Sequence, residues 1–171
     1  KNWDDKSVCL KIDKLLNNYD DGELFVEEVF SENIFFEDNK IKNASYDQDK
    51  GFGLRAVDHD SVNFFHNTEL DEVAFNSALQ SIENKDRKPK KSSEDKTSKS
   101  NTTLYTAKNP INLVSLANKI DFLKKVNQYA RNLDPKVKEV SVSLNGNYQN
   151  IEIIRKNGCF FYDSRPLVRM N

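Results

Sequence analysis

Residues 85–101 read KDRKPKKSSEDKTSKSN, seventeen positions without one aromatic or aliphatic β-branched side chain. Such a stretch cannot bury enough apolar area to offset its ordering entropy, so it reads as a flexible basic linker rather than part of a core. It divides the chain into residues 1–84 and 104–171, joined by 85–103, and any fold has to be built from those two pieces. The run holds seven basic and three acidic residues, net +4, so the rest carries −5 against a total of −1. The folded part is acidic, which argues against a chain that lives on phosphate backbones, and no aromatic side chain interleaves with the lysines to stack a base. The run also lowers the mean hydropathy, −0.76 overall, of a chain long enough for a real core.

Before the linker, Val8, Ile12, Leu15 and Leu16 recur at helical spacing within Lys6 to Tyr19, and Asp20-Asp21-Gly22 stops that helix. From Glu23 the period changes to that of strands. Leu24 to Phe36 is rich in Phe and Val, Asp38-Asn39-Lys40 turns, Ile41 to Asp49 and Gly51 to Val57 alternate, and Asp58-His59-Asp60 turns into Ser61 to Phe65. This predicts a four-stranded antiparallel meander. Thr68-Glu69-Leu70-Asp71 reads as a capping box for a helix whose stripe is Leu70, Val73, Ala74, Ala78, Leu79 and Ile82.

After the linker, Ser115 can cap a long helix to about Leu133. Its Leu116, Ile120, Leu123, Val126, Ala130 and Leu133 face one way and Lys119, Lys124, Lys125 and Arg131 face water. Asp134-Pro135 ends it. Val140 to Leu144 alternates, Asn145-Gly146-Asn147 turns, Tyr148 to Lys156 returns, and Asn157-Gly158 turns again into a strand from Cys159. The expected fold class is α+β: an antiparallel meander with packed helices, then a long helix and a second set of antiparallel strands.

Catalytic patterns are missing. His59 and His66 are the two histidines, neither pairs with an acid at helical spacing, and Asp58-His59-Asp60 reads as polar turn residues rather than a cation site. Cys9 and Cys159 read as free, buried thiols, with Cys159 set against Phe160-Phe161-Tyr162. No serine stands in a Gly-x-Ser-x-Gly elbow. The acids Glu27, Glu28, Glu37, Asp38, Asp47 and Asp49 fall on strand faces and turns that are ordinarily wet. In the strand Gly51 to Val57, Gly51, Gly53 and Arg55 share a face, and two glycines there mark a bulge or a close backbone approach. No 18-residue apolar run or signal-peptide pattern is present, so a soluble, cytoplasmic chain is expected. Lys1 is not a methionine and Arg169-Met170-Asn171 carries no stop or turn signal, so the chain reads as a fragment.

The segment Phe36 to Val57, with its Glu37-Asp38 turn and its Asp49-x-Gly51-x-Gly53-x-Arg55-Ala56 strand, resembles the N-terminal domain of the TldD/PmbA family. Leu104-Tyr105-Thr106, the helix around Lys119-Ile120-Asp121-Phe122-Leu123 and Arg165-Pro166-Leu167-Val168-Arg169 resemble it in the same order. The strand and the Arg-Pro-Leu-Val-Arg end resemble the TldD branch more than the PmbA (TldE) branch. The resemblance implies a bacterial or archaeal zinc metallopeptidase, of a family once described as modulators of DNA gyrase. It implies a TldE/PmbA-type partner subunit, a flexible peptide as substrate and a zinc motif beyond residue 171. It therefore implies no catalytic residue, metal ligand or cofactor in this chain, which would be a wall of a peptide chamber. Gly51, Gly53 and Arg55, and Arg165 and Arg169 at the far end, become candidates for the substrate path or a domain interface. The rival expectations are a non-enzymatic protein-interaction module and, last, a DNA- or gyrase-associated regulator.

Overall fold

The structure, a computed structural model, describes residues 1–83, 104–106, 108–156 and 160–171. The basic linker, the Asn157-Gly158 turn and Cys159 lie outside them. The elements are α1 (Asp5–Leu16), β1 (Asp21–Glu37), β2 (Lys40–Asp58), β3 (Ser61–Asn67), α2 (Glu72–Ile82), a short 3-10 helix (Pro110–Leu113), α3 (Leu116–Leu133), β4 (Ser141–Arg155) and β5 (Phe160–Met170). The strands form one five-stranded antiparallel sheet in the order β3-β2-β1-β4-β5, and the fold is α+β.

Contacts group the chain into two units, one of residues 1–28, 49–103 and 150–163, the other of 29–48, 104–149 and 164–171. They do not follow chain order, because β1, β2, β4 and β5 each run through both. In the first unit Val8, Ile12, Leu16, Phe75 and Ala78 pack with Leu24, Phe52, Leu54 and Ile154. Trp3 meets Phe52 edge-on, with ring centres 5.5 Å apart. α1 begins at Asp4, whose side chain accepts from the Ser7 N–H at 2.9 Å. Beyond its end, buried Tyr19 donates its hydroxyl proton to the Ile82 carbonyl, tying α1 to the end of α2. In the second unit Leu123 of α3 packs with Ile34, Phe36 and Val142.

Four expectations are corrected. The meander has three strands before α2, because β2 runs unbroken through Asp49-Lys50. Positions 40–50 are all exposed, so charged residues are tolerated in a continuing strand and are no turn signal there. After α3 there are two described strands, because Asn145-Gly146-Asn147 continues β4. A Cβ on Gly146 would lie 3.2 Å from Ile111 Cγ1, so this glycine serves a close approach of the 3-10 helix instead of a hairpin. The α2 cap is Asp71, which accepts from the Ala74 N–H at 2.8 Å, and not Thr68; Phe75 is buried in its stripe while Val73 is 75% exposed. On α3, Lys119 and Asn127 are buried beside Leu123 while Leu116 and Leu133 are exposed, so the inward face is rotated from the expected one.

The expected turn at Asp38-Asn39 is present, with φ of 47° and 62° at its two central residues, as a two-residue hairpin of the primed type demands. Its tip is held to α3: Asn127 Nδ2 donates to Asn39 Oδ1 at 2.6 Å and the Arg131 guanidinium donates to Asp38 Oδ1 at 2.5 Å.

Candidate functional site

In the first unit the β2–β3 hairpin fixes what surrounds Gly51, Gly53 and Arg55. Its register pairs Gly53 with His66 and Arg55 with Phe64. A Cβ on Gly51 would stand 3.0 Å from the Asn67 carbonyl oxygen, and one on Gly53 3.2 Å from the Phe64 ring. The glycines therefore admit β3, and the Phe64 ring lies over Gly53. Arg55, on β2, reaches Asp21 and Glu23 of β1, each at 3.4 Å, while Arg155 of β4 reaches the same two acids at 3.8 and 3.4 Å. Two guanidiniums and two carboxylates thus form a lattice across three neighbouring strands. Half-exposed pairs of this length contribute little to stability, so the lattice is foremost a charged, polar surface.

In the second unit Arg165 and Arg169 lie on one face of β5, as their spacing requires. Arg169 Nε donates to Asn171 Oδ1 at 3.1 Å, and Asn171 Nδ2 donates to Ser143 Oγ at 3.2 Å. A hollow of about 420 Å³ opens here, lined by Ser45, Asp47, Asn145, Asn147 and Arg169 among others. It offers amide, hydroxyl, carboxylate and guanidinium groups, a set suited to holding polar main chain. A second hollow of about 380 Å³ lies between α3 and the sheet, lined by Ile111, Val114, Phe122, Leu144 and Val168. Lys119 and Glu32 also line it. The Lys119 ammonium donates to Glu32 Oε2 at 2.5 Å and to the Ile111 carbonyl at 2.7 Å, with about a tenth of each side chain exposed. Sequence reasoning placed Lys119 in water. The available signal was its row with Leu123 and Asn127, four residues apart, which all turn inward together.

Among the described residues, one group of three possible metal ligands comes together: Asp20, Asp58 and His59. Its members are tied up in a turn. The His59 N–H donates to Asp20 Oδ2 at 2.8 Å, His59 Nδ1 lies 3.0 Å from Asp58 Oδ1, and the His59 ring is exposed. Cys9 is half-buried rather than buried, and this partial burial pushes its thiol above its ordinary range, the reverse of an activated nucleophile. No described helix is long and apolar enough to cross a membrane.

Two family models match in succession: PmbA/TldA metallopeptidase domain 1 over residues 22–85, and the PmbA/TldA metallopeptidase central domain over 109–171. The chain belongs to the PmbA/TldD metallopeptidase family. It is 29% identical over 176 residues to a metalloprotease TldD homolog of Buchnera aphidicola from Acyrthosiphon pisum, covering 98% of this chain and 35% of that protein. To the metalloprotease TldD homolog of Haemophilus influenzae it is 28% identical over 158 residues, 90% of this chain and 33% of that one. The chain thus spans about a third of the length of these curated relatives. The fold is similar to that of a putative modulator of DNA gyrase from Bacteroides thetaiotaomicron, at a TM-score of 0.66 and 15% identity over 96% of this chain and 39% of that one. It is similar also to TldE from Thermococcus kodakarensis, at 0.62 and 15% over 93% and 37%.

Proposed function

We propose that this chain is the N-terminal, chamber-wall and interface portion of a TldD-type zinc metallopeptidase that acts with a TldE/PmbA-type partner subunit on unfolded or flexible peptides in the cytoplasm. The observation that carries the reading is the ordered match of a first and a central peptidase domain in a chain a third as long as relatives named metalloprotease TldD homolog. The described residues do not fit a catalytic zinc. Their one three-ligand group supplies two carboxylates and an imidazole already engaged with one another at an exposed turn, whereas a catalytic zinc needs three oriented ligands and an open position. In this reading the metal and its general base belong to polypeptide outside residues 1–171.

What these residues contribute is surface. A peptide held extended by main-chain hydrogen bonds needs polar groups along its path, and the hollow beside Arg169 offers them. Because β3 fills the space beside Gly51 and the Phe64 ring that over Gly53, the face around Arg55 suits contact with a neighbouring domain better than close passage of a substrate backbone. Arg165 and Arg169 take the same interface role, since guanidiniums suit carboxylates on an adjoining part. The test is peptide cleavage with zinc by two preparations: residues 1–171 alone, and a chain of the relatives' length together with its partner subunit. Cleavage by the second only is expected. Turnover by residues 1–171 alone refutes the proposal.

A further inference from the structure

Among the described residues, β5 is the outer strand of the sheet. Its phase is fixed where it ends: the Asn171 N–H donates to the Ser143 carbonyl at 3.0 Å and the Asn171 carbonyl accepts from the Ser143 N–H at 2.9 Å. In an antiparallel pair, successive residues alternate between facing the partner strand and facing away. Arg169, Leu167 and Arg165 therefore turn their main-chain groups toward β4, while Met170, Val168 and Ser164 turn theirs outward. Pro166 falls in the outward set, where its missing N–H removes no bond to β4, as expected of a proline on an edge.

That proline guards the middle of the edge and leaves Val168 and Met170 without a neighbouring strand among the described residues. They are 63% and 50% exposed, an apolar edge of the kind that natural sheets cover or charge. Val168 also stands on the rim of the 380 Å³ hollow, with Phe122, Val114 and Leu144. Two outward amides and two outward carbonyls thus lie beside a seat for an apolar side chain.

A second copy of this chain is a poor occupant. Any antiparallel self-pairing across Val168 and Met170 sets Arg169 directly or diagonally opposite Arg165 or Arg169 of the other copy, and like charges so placed are destabilising. The family model matched by residues 109–171 is that of a central domain, and relatives are about three times as long. We propose that the edge formed by Val168 and Met170 pairs with a strand from the polypeptide beyond residue 171 in a chain of the relatives' length. That strand places an apolar side chain in the hollow beside Val168. The proposal rests on the reading of this chain as part of a longer peptidase.

The test is hydrogen exchange at single-residue resolution on a chain of the relatives' length, without added peptide. The Val168 and Met170 amides are expected to exchange about 100-fold or more slowly than in an unstructured chain, at high and at tenfold lower protein concentration alike. Free exchange overturns the proposal, as does protection lost on dilution, which marks a second copy, or protection that appears only with added peptide. A paired set of variants reads the same bond: Val168→Pro removes the outward donor and is expected to lower the melting temperature by several degrees, while Val168→Thr keeps the donor and is not. Equal melting for both variants overturns the proposal. Protected amides in a protein that cleaves no peptide leave this inference standing and sink only the peptidase reading.

Discussion

Replacing Lys119 by methionine tests whether the ion pair beneath the apolar hollow binds α3 to the sheet. Methionine keeps most of the aliphatic stem, so little packing is lost. The Glu32 carboxylate, 14% exposed, and the Ile111 carbonyl then lose the ammonium that bridges them. Breaking a buried pair by removing one partner costs about 3–5 kcal/mol, because the remaining charge stays behind without compensation. For a chain of this size each kcal/mol shifts the melting temperature by about 2–4 °C, so Lys119→Met is expected to melt about 6–20 °C lower. Replacing both partners, as Lys119→Met with Glu32→Leu, removes the stranded charge and is expected to recover most of that loss. Urea unfolding of the four proteins of the cycle, followed by circular dichroism, gives the coupling. A single variant costing under about 1 kcal/mol would mean that the pair behaves as a surface bridge, and the reasoning from burial fails. A double variant no better than the single would refute the stranded-charge argument separately.

Gly22→Ala is expected to cost at least the upper end of about 1–3 kcal/mol in urea unfolding, since the new Cβ would lie 2.6 Å from the backbone carbonyl of Arg55, which cannot swing aside. Gly53→Ala meets only the edge of the exposed Phe64 ring and is expected to stay within about 1 kcal/mol of the parent. Asp71→Ala is expected to lose about 1 kcal/mol with the α2 cap, whereas Thr68→Ala changes stability by under about 0.5 kcal/mol; the reverse order would restore the capping box at Thr68. Because burial raises the Cys9 thiol, less of it is thiolate at pH 8, and its alkylation, read by mass spectrometry on its own peptide, is expected to be slower than that of an unstructured cysteine peptide. Equal rates would count against the burial.

The period of apolar residues made the helices and the α+β class legible, because each core is fed by residues at regular intervals: Val8, Ile12 and Leu16 on α1, Leu24 and Val26 on β1. What misled was punctuation. Asn145-Gly146 carries the residues of a tight turn, yet its glycine answers to Ile111, thirty-five positions away, and no local pattern encodes that approach. Asp49-Lys50 looks like a break because charge is read as a loop, although an exposed strand tolerates charge equally well. Along α3 the alkyl stem of Lys119 and the amide of Asn127 replace aliphatic side chains on the buried row, and the partners that make this possible, Glu32 and Asn39, come from β1 and the turn after it. For the candidate site, the glycines on β2 announced that something comes close. That it is the Asn67 carbonyl and the Phe64 ring followed only from the hairpin register.

The long strands carry a consequence for assembly of the molecule. β1 sends Leu24 and Val26 into one core and Ile34 and Phe36 into the other, along a single uninterrupted run of backbone. A slip of one residue would expel all four side chains together, so each core proofreads the alignment of the other. A cut at the lysine-rich joint would therefore yield two pieces, each holding half of the other's ladder, and neither would be a miniature of the whole.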